Sequence, residues 1–228
     1  MNTSMFKILI IADPKLAGGD LLERIAGLCK ARADAILLRA KFLNEEEFRT
    51  LAISVKQICD EFGREFVINQ FFNVACELKS SFWMTSAQID LLQNFSDTSD
   101  KFGLNFAKFK DFKDMAAKFT AASPAPKIYG PAHDLAQAEI SAKFADILIA
   151  SHIFATSCKA GLKPKGLALI RKIKARVDRR VYALGGINKL NFRSVLDVGA
   201  DGICLMSEAM RCENESEFTK GFLADTLI

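Results

Sequence analysis

The chain contains only two histidines, His133 and His152, and each stands at the end of a short apolar run. An imidazole with an ordinary pKa near about 6.5 both takes and gives a proton at neutral pH, so a histidine at such a place suits proton transfer. A single histidine is more often a satisfied structural group, and the pairing of the two at successive run ends is what favours chemistry. Further along, Ala183-Leu184-Gly185-Gly186-Ile187-Asn188 precedes Asp201-Gly202-Ile203-Cys204-Leu205-Met206-Ser207. Glycines at strand ends let backbone N–H groups approach an anion, and Ser207 with the start of a helix adds further donors. A tight turn is the plainer explanation of a double glycine; two successive strand ends of this kind point to a phosphate cradle.

Arg39 and Lys41 are two residues apart, which puts them on one side of an extended segment. A guanidinium fork and an ammonium on one side would recognise phosphate or carboxylate, with solvated loop charge as the alternative. Cys158 lies six residues after His152, but no orienting third group or acyl-transfer motif accompanies it, which argues against a nucleophilic pair.

These residues need a frame, and the frame is legible in the alternation of short apolar runs with helical patterns. Eight strands are predicted: Lys7 to Ala12, Ala35 to Arg39, Phe66 to Asn69, Phe82 to Thr85, Lys127 to Gly130, Asp146 to Ser151, Val181 to Gly185 and Gly202 to Ser207. Between them, Asp20 with Glu23, and Asn44 with Glu47, have the spacing of capping boxes. Asn188 is expected to cap a helix running to Val198, and Gly199 to end it in the left-handed conformation. The fold class is therefore α/β, a single (β/α)8 TIM barrel spanning residues 1–228, with its chemistry at the C-terminal ends of the strands. One connection, Asn94 to Pro126, is longer than usual. Its Phe102, Phe106, Phe109, Phe112 and Phe119, interleaved with lysines, suggest an amphipathic helix packed on the barrel; an oligomer contact or a lid are the alternatives.

The first apolar run, Ile8 to Ala12, is too short for a signal segment or a membrane span, so a cytoplasmic protein without a membrane partner is expected. The six cysteines show no Cys-x-x-Cys spacing and read as reduced core thiols rather than a disulfide or zinc framework. A net charge of +4 arises from interspersed charges, and the basic run Arg171 to Arg180 closes a predicted helix, which speaks against a nucleic-acid partner.

Over nearly its whole length the sequence resembles the thiamine phosphate synthase/TenI family. ILLRAK is similar to that family's strand-two Q-L-R-E-K, FVINQFFNVACEL to its I-N-D-R segment, IFATSCKAGLKPKGLALI to its loop-six motif, and ALGGIN with ADGICLMS to its phosphate site. The synthases hold Mg²⁺ with aspartates while pyrophosphate leaves. Here Gln70 and Phe71 stand where that family has aspartate and arginine, Leu37 replaces the strand-two glutamine, and only Asp90, reached by shifting the alignment, is a candidate for the second acidic site. Neutral amides are poor Mg²⁺ partners. These losses resemble the TenI branch, whose members isomerise a thiazole phosphate carboxylate to its aromatic tautomer. His133 matches the histidine of that branch's V-H-S motif, although Asp134 replaces the serine; Ser151-His152 matches its G-H pair, with serine in place of glycine.

The resemblance implies an isomerase that uses no metal or other cofactor, takes a small-molecule thiazole phosphate and assembles as a homo-oligomer. His133 would be catalytic. Arg39, Lys41, His152, Thr156, Lys159, Gly185, Gly186, Gly202, Met206 and Ser207 would bind substrate and its phosphate. A divergent synthase, with Mg²⁺ required and Asp90 at the metal, is the first alternative. A non-catalytic protein that senses a thiamine-pathway phosphate is the second.

Overall fold

Residues 6–93, 106–117 and 125–223 are described in a computed structural model. Parallel strands β1 (Lys7–Ala12), β2 (Ala35–Leu38), β3 (Glu65–Asn69), β4 (Ser81–Trp83), β5 (Ile128–Ala132), β6 (Ile147–Ser151), β7 (Arg180–Leu184) and β8 (Gly202–Leu205) pair in chain order, and β8 returns to β1. A closed parallel sheet has no edge and is buried on both faces, which is why these runs are almost continuously apolar. Side chains alternate. Leu9, Ile11, Leu37, Val67, Ile149 and Cys204 pack inside the barrel, whereas their neighbours Ile8, Ile10, Ile36, Ile68, Leu148 and Ile203 face the surrounding helices. This is the predicted (β/α)8 barrel, with strand ends that match the expected ones or differ from them by one or two residues.

The helices are α1 (Leu21–Lys30), α2 (Glu45–Glu61), α3 (Phe72–Glu77), α4 (Ser86–Gln93), α5 (Phe106–Ala116), α6 (Leu135–Ser141), α7 (Leu167–Lys174), α8 (Phe192–Asp197), α9 (Ser207–Met210) and α10 (Glu215–Leu223). Asp20 caps α1 by accepting from the N–H groups of Leu22 and Glu23 at 2.7 and 3.0 Å. At α2 the capping box is complete, with Asn44 Oδ1 accepting from Glu47 N at 2.9 Å and Glu47 Oε2 from Asn44 N at 3.0 Å. Asn44→Ala removes one partner of this pair and is expected to cost about 1 kcal/mol, a fall of roughly 2–4 °C in thermal denaturation. An unchanged midpoint would show that the box contributes nothing.

Asn188 does not cap a helix as expected. Its Oδ1 accepts from Leu190 N at 2.9 Å in a local turn, and α8 begins only at Phe192. Gly199 does end α8, with φ +93° and its N–H donating to Leu196 O at 2.8 Å. In the long connection, α5 lays Phe112 against Phe72, with centroids 5.4 Å apart, and Phe109 against Phe144 at 6.0 Å. Phe109 and Phe112 are buried, so the helix packs on the barrel through them, and Lys113 pairs outside with Asp146 at 2.9 Å. Phe102 and Phe119 lie outside the described residues. Among those described, no helix is long and apolar enough to cross a membrane.

The two ends of the barrel differ in chemistry. At the N-terminal end of the strands, Glu65 accepts from the Tyr129 hydroxyl at 2.9 Å and from Ser81 Oγ at 2.7 Å, and pairs with Lys127. Every group of this plug is satisfied by another, and burial pushes the Tyr129 hydroxyl well above its ordinary pKa. That end is a closed polar floor. The C-terminal end is open.

Candidate functional site

A cavity of about 580 Å³ opens at the C-terminal ends of the strands. The inward period of each strand carries it there. In β2, Ala35 and Leu37 face the barrel interior, and two further steps of two bring Arg39 and Lys41 to the cavity wall. The same stepping takes β5 from Tyr129 through Pro131 to His133, and β6 from Ile149 to Ser151. The sequence-predicted Arg39, Lys41, His133, His152, Thr156, Lys159, Gly185, Gly186, Met206 and Ser207 all line this one cavity.

Gly202 does not. It starts β8 in register with Lys7 and Tyr182, at the closed end of the barrel. A Cβ there would lie 2.7 Å from Lys7 O and 2.8 Å from Tyr182 Cδ1, so this glycine exists for packing at the floor and has no part in the cavity. Its assignment to a phosphate cradle is thereby corrected: the residues of β8 that reach the open end are Met206 and Ser207.

The charge of the wall is mostly positive. Arg39 is held by buried Asp13, Nη1 to Oδ2 2.6 Å, which fixes the guanidinium at the rim. Lys41 has no ion pair among the described residues, and burial, then the neighbouring Arg39 charge, hold its pKa below the ordinary ammonium value. Lys159 adds a third cation, while Glu208 is the one carboxylate lining the cavity among the described residues. Such a wall selects an anion. Gly185 and Gly186 have φ of +103° and +65°, and α9 begins at Ser207, where the first N–H groups of a helix lack intrahelical acceptors.

His133 is half-buried, and Ser151 supplies both polar contacts of its ring: Nδ1 lies 2.9 Å from Ser151 Oγ and 3.2 Å from Ser151 O. Burial above all lowers its pKa from the ordinary 6.5; the Ser151 carbonyl and Asp134 oppose this, and the Lys159 and Lys165 charges reinforce it. A neutral imidazole follows at pH 7. His152 is used differently. It is 4% exposed and its Nε2 donates to Leu162 O at 3.3 Å, while Lys165 N donates to its carbonyl at 3.0 Å. This histidine ties down the loop after β6, which in turn carries Thr156, Cys158 and Lys159 to the cavity. Thr156 Oγ1 accepts from Cys158 N at 3.4 Å and starts a short 3-10 turn, Ser157–Lys159. Cys158 is exposed rather than in the core, with Sγ 3.7 Å from Ser207 Oγ.

The positions at which a magnesium site would be sought, Gln70 and the segment Met84 to Gln88 with Asp90 just beyond it, do not fit that ion. Gln88 is fully buried and wholly used as structure: its Oε1 accepts from Thr85 N at 2.9 Å and Thr85 Oγ1 at 3.1 Å, and its Nε2 donates to Gln70 O at 2.8 Å. Asp90 is exposed on α4 and does not line the cavity. Among the described residues no group of three His, Cys, Asp or Glu side chains is placed to hold a metal. Three cations and one carboxylate are the wrong donor set for a hard cation that wants several oxygens.

Sequence reasoning passed over Asp13, which holds Arg39, and gave Ser151 no role of its own. Asp13 ends an apolar run, and a carboxylate at that position, facing an arginine at the end of the next run, was the available signal.

Comparison with known proteins gives a consistent outcome. The family model for thiamine monophosphate synthase matches residues 8–83 and 123–209. The chain is 26% identical over 222 residues to a thiamine-phosphate synthase of Desulfitobacterium hafniense strain Y51, covering 96% of each. It is 30% identical over 204 residues to one of Coprothermobacter proteolyticus, covering 88% of this chain and 85% of the relative. Among solved structures, a thiamine phosphate pyrophosphorylase from Pyrococcus furiosus superposes with a TM-score of 0.74 at 24% identity, covering 98% of both chains, a likeness of fold.

Proposed function

The chain belongs to the thiamine monophosphate synthase family of thiamine biosynthesis, and on that premise we propose that it isomerises a thiazole phosphate carboxylate to its aromatic tautomer. The observation that carries this reading is His133, neutral and half-buried in a cation-lined cavity with its Nδ1 against Ser151. A carbonyl oxygen only accepts, so Nδ1 carries the proton in that contact and Nε2 carries the lone pair. Nε2 takes a proton from one carbon of the ligand, becomes an imidazolium, and returns the proton to another carbon. Nothing is gained or lost, and aromatisation makes the shift downhill. The ligand phosphate sits on the backbone at Gly185, Gly186 and Ser207, and its carboxylate on Arg39, Lys41 or Lys159.

The names of the relatives favour a second reading, condensation of a pyrimidine pyrophosphate with thiazole phosphate. Gln70, Gln88 and the exposed Asp90 weigh against it, because that chemistry calls on Mg²⁺. Both assays, run on one preparation, separate the two. Tautomer conversion is expected in the presence of a chelator, and no condensation at saturating Mg²⁺; condensation without conversion would replace the first reading by the second. Ligand binding with neither activity would make the protein a binder only. The pH dependence has a sign: the base must be neutral, so conversion holds from pH 8 down to 6.5 and is lost below that, as His133 protonates at a pKa under its ordinary 6.5.

A further inference from the structure

We infer that Ser151 is the residue that positions the proton of His133, holding it on Nδ1 through two acceptors so that Nε2 stays free to exchange with the ligand. The inference rests on the proton-shift reading for its catalytic meaning, and on geometry alone for its chemical content.

That geometry follows from the barrel. Strands β5 and β6 are parallel and in register, Pro131 beside Ile149 and Ala132 beside Ala150. Continuing by one residue sets His133 beside Ser151, on neighbouring strands about 4.8 Å apart. Both are on the inward period, so the ring and the hydroxyl meet at the cavity wall. Ser151 is 4% exposed, which leaves its hydroxyl little room to leave the ring for water.

Two oxygens of this one residue then face one nitrogen, Oγ at 2.9 Å and the carbonyl at 3.2 Å. The carbonyl cannot donate, so only the Nδ1–H form of the imidazole is satisfied by both. In that form Oγ accepts, and its own hydrogen is left to point into the cavity that Ser151 lines. When Nε2 receives a proton the imidazolium keeps the same two acceptors at Nδ1, so no group turns between the two halves of the reaction. Preorganisation of this kind removes reorganisation from the chemical step. The opposite tautomer, Nε2–H, would take a hydrogen bond from the serine hydroxyl but set the nitrogen lone pair against the carbonyl. Nothing else described satisfies the ring. Gln137 Oε1 is engaged by the His133 backbone N–H at 2.9 Å, and Asp134, Lys159 and Lys165 act on the imidazole through charge.

The test is Ser151→Ala, which deletes one atom from a buried site and adds none. Long-range ¹H–¹⁵N correlation at pH above 6.5 reads directly which nitrogen bears the proton. With two histidines in the chain, a spectrum of His133→Gln assigns the signals. The native protein should show the Nδ1–H form. In Ser151→Ala the ratio of Nε2–H to Nδ1–H should rise by about three- to tenfold, the change expected for one lost hydrogen bond. Turnover should fall in proportion to the Nδ1–H population lost, by less than that factor, with KM nearly unchanged, and Ser151→Thr, which keeps the hydroxyl, should restore the native tautomer. An unchanged spectrum in Ser151→Ala would overturn the inference whatever the activity. An altered spectrum in a protein that performs no proton shift would instead overturn the function proposed above, and leave the hold of Ser151 on Nδ1 standing.

Discussion

His133→Ala is expected to lower tautomer conversion by about 10²–10⁴-fold, the range that general acid–base groups contribute, while thiazole phosphate still binds within a few-fold of the native affinity. The two halves of this expectation come from different parts of the wall. Affinity rests on cations and backbone at the ends of β2, β7 and β8 and on the loop after β6, none of which touches the imidazole. Chemistry rests on one side chain that cycles between neutral and charged forms in a place where burial keeps it neutral at rest. Truncation therefore removes the proton carrier and leaves the anion site. The measurement is turnover with purified variant beside calorimetric binding of the product. Undiminished conversion would remove His133 from the mechanism, and a parallel loss of binding would mean that the ring holds the ligand rather than the proton.

Much of this site was legible in the chain because period-two stepping is local. Once Leu37 is inward, Arg39 and Lys41 must be, and once Tyr129 is inward, so is His133. What could not be read was whatever depends on the register between strands. Ser151 and His133 meet because β5 and β6 pair without offset, and that offset is a property of barrel closure, which no single run encodes. Gly202 was misplaced for a different reason, since the predicted strand itself already began at that glycine. Segment 201–207 reads as one glycine-containing cradle in sequence, yet it runs along a strand, so its glycine falls at the closed end of the barrel and its serine at the open end. Asn188 missed for a more local reason: its side chain and carbonyl accept from Leu190 N and from Asn191 and Phe192 N in a separate turn that precedes α8 instead of opening it. The Phe109 and Phe112 stripe was readable from helical spacing, because burial of one helix face needs only the helix.

Gly186→Ala separates the anion cradle that the sequence points to from a second explanation of the double glycine, close packing by the loop after β6. If glycine is needed only so that an anion can approach the backbone, alanine weakens ligand binding and leaves the fold untouched. The packing argues otherwise. Gly186 has φ +65°, and a Cβ on it would stand 2.3 Å from Ala155 O and 2.9 Å from the Phe154 side chain. Gly185 is equally confined, with a Cβ placed 2.4 Å from His152 Cβ. The obstacle in both cases is the loop after β6, which lies across the end of β7 through Ile153 N to Leu184 O at 2.9 Å and Phe154 N to Gly185 O at 3.0 Å. A left-handed alanine costs about 1–3 kcal/mol and the overlap with backbone a similar amount, so a loss of about 3 kcal/mol is expected. In a chain of this size that lowers the thermal midpoint by roughly 6–12 °C. Relief of the clash must push the loop outward, and the loop carries Thr156 and Lys159 to the cavity, so phosphate affinity should fall in the same variant. A reduced midpoint with reduced binding is the signature of a loop clamped on glycine. Reduced binding at an unchanged midpoint would return the glycines to the anion alone.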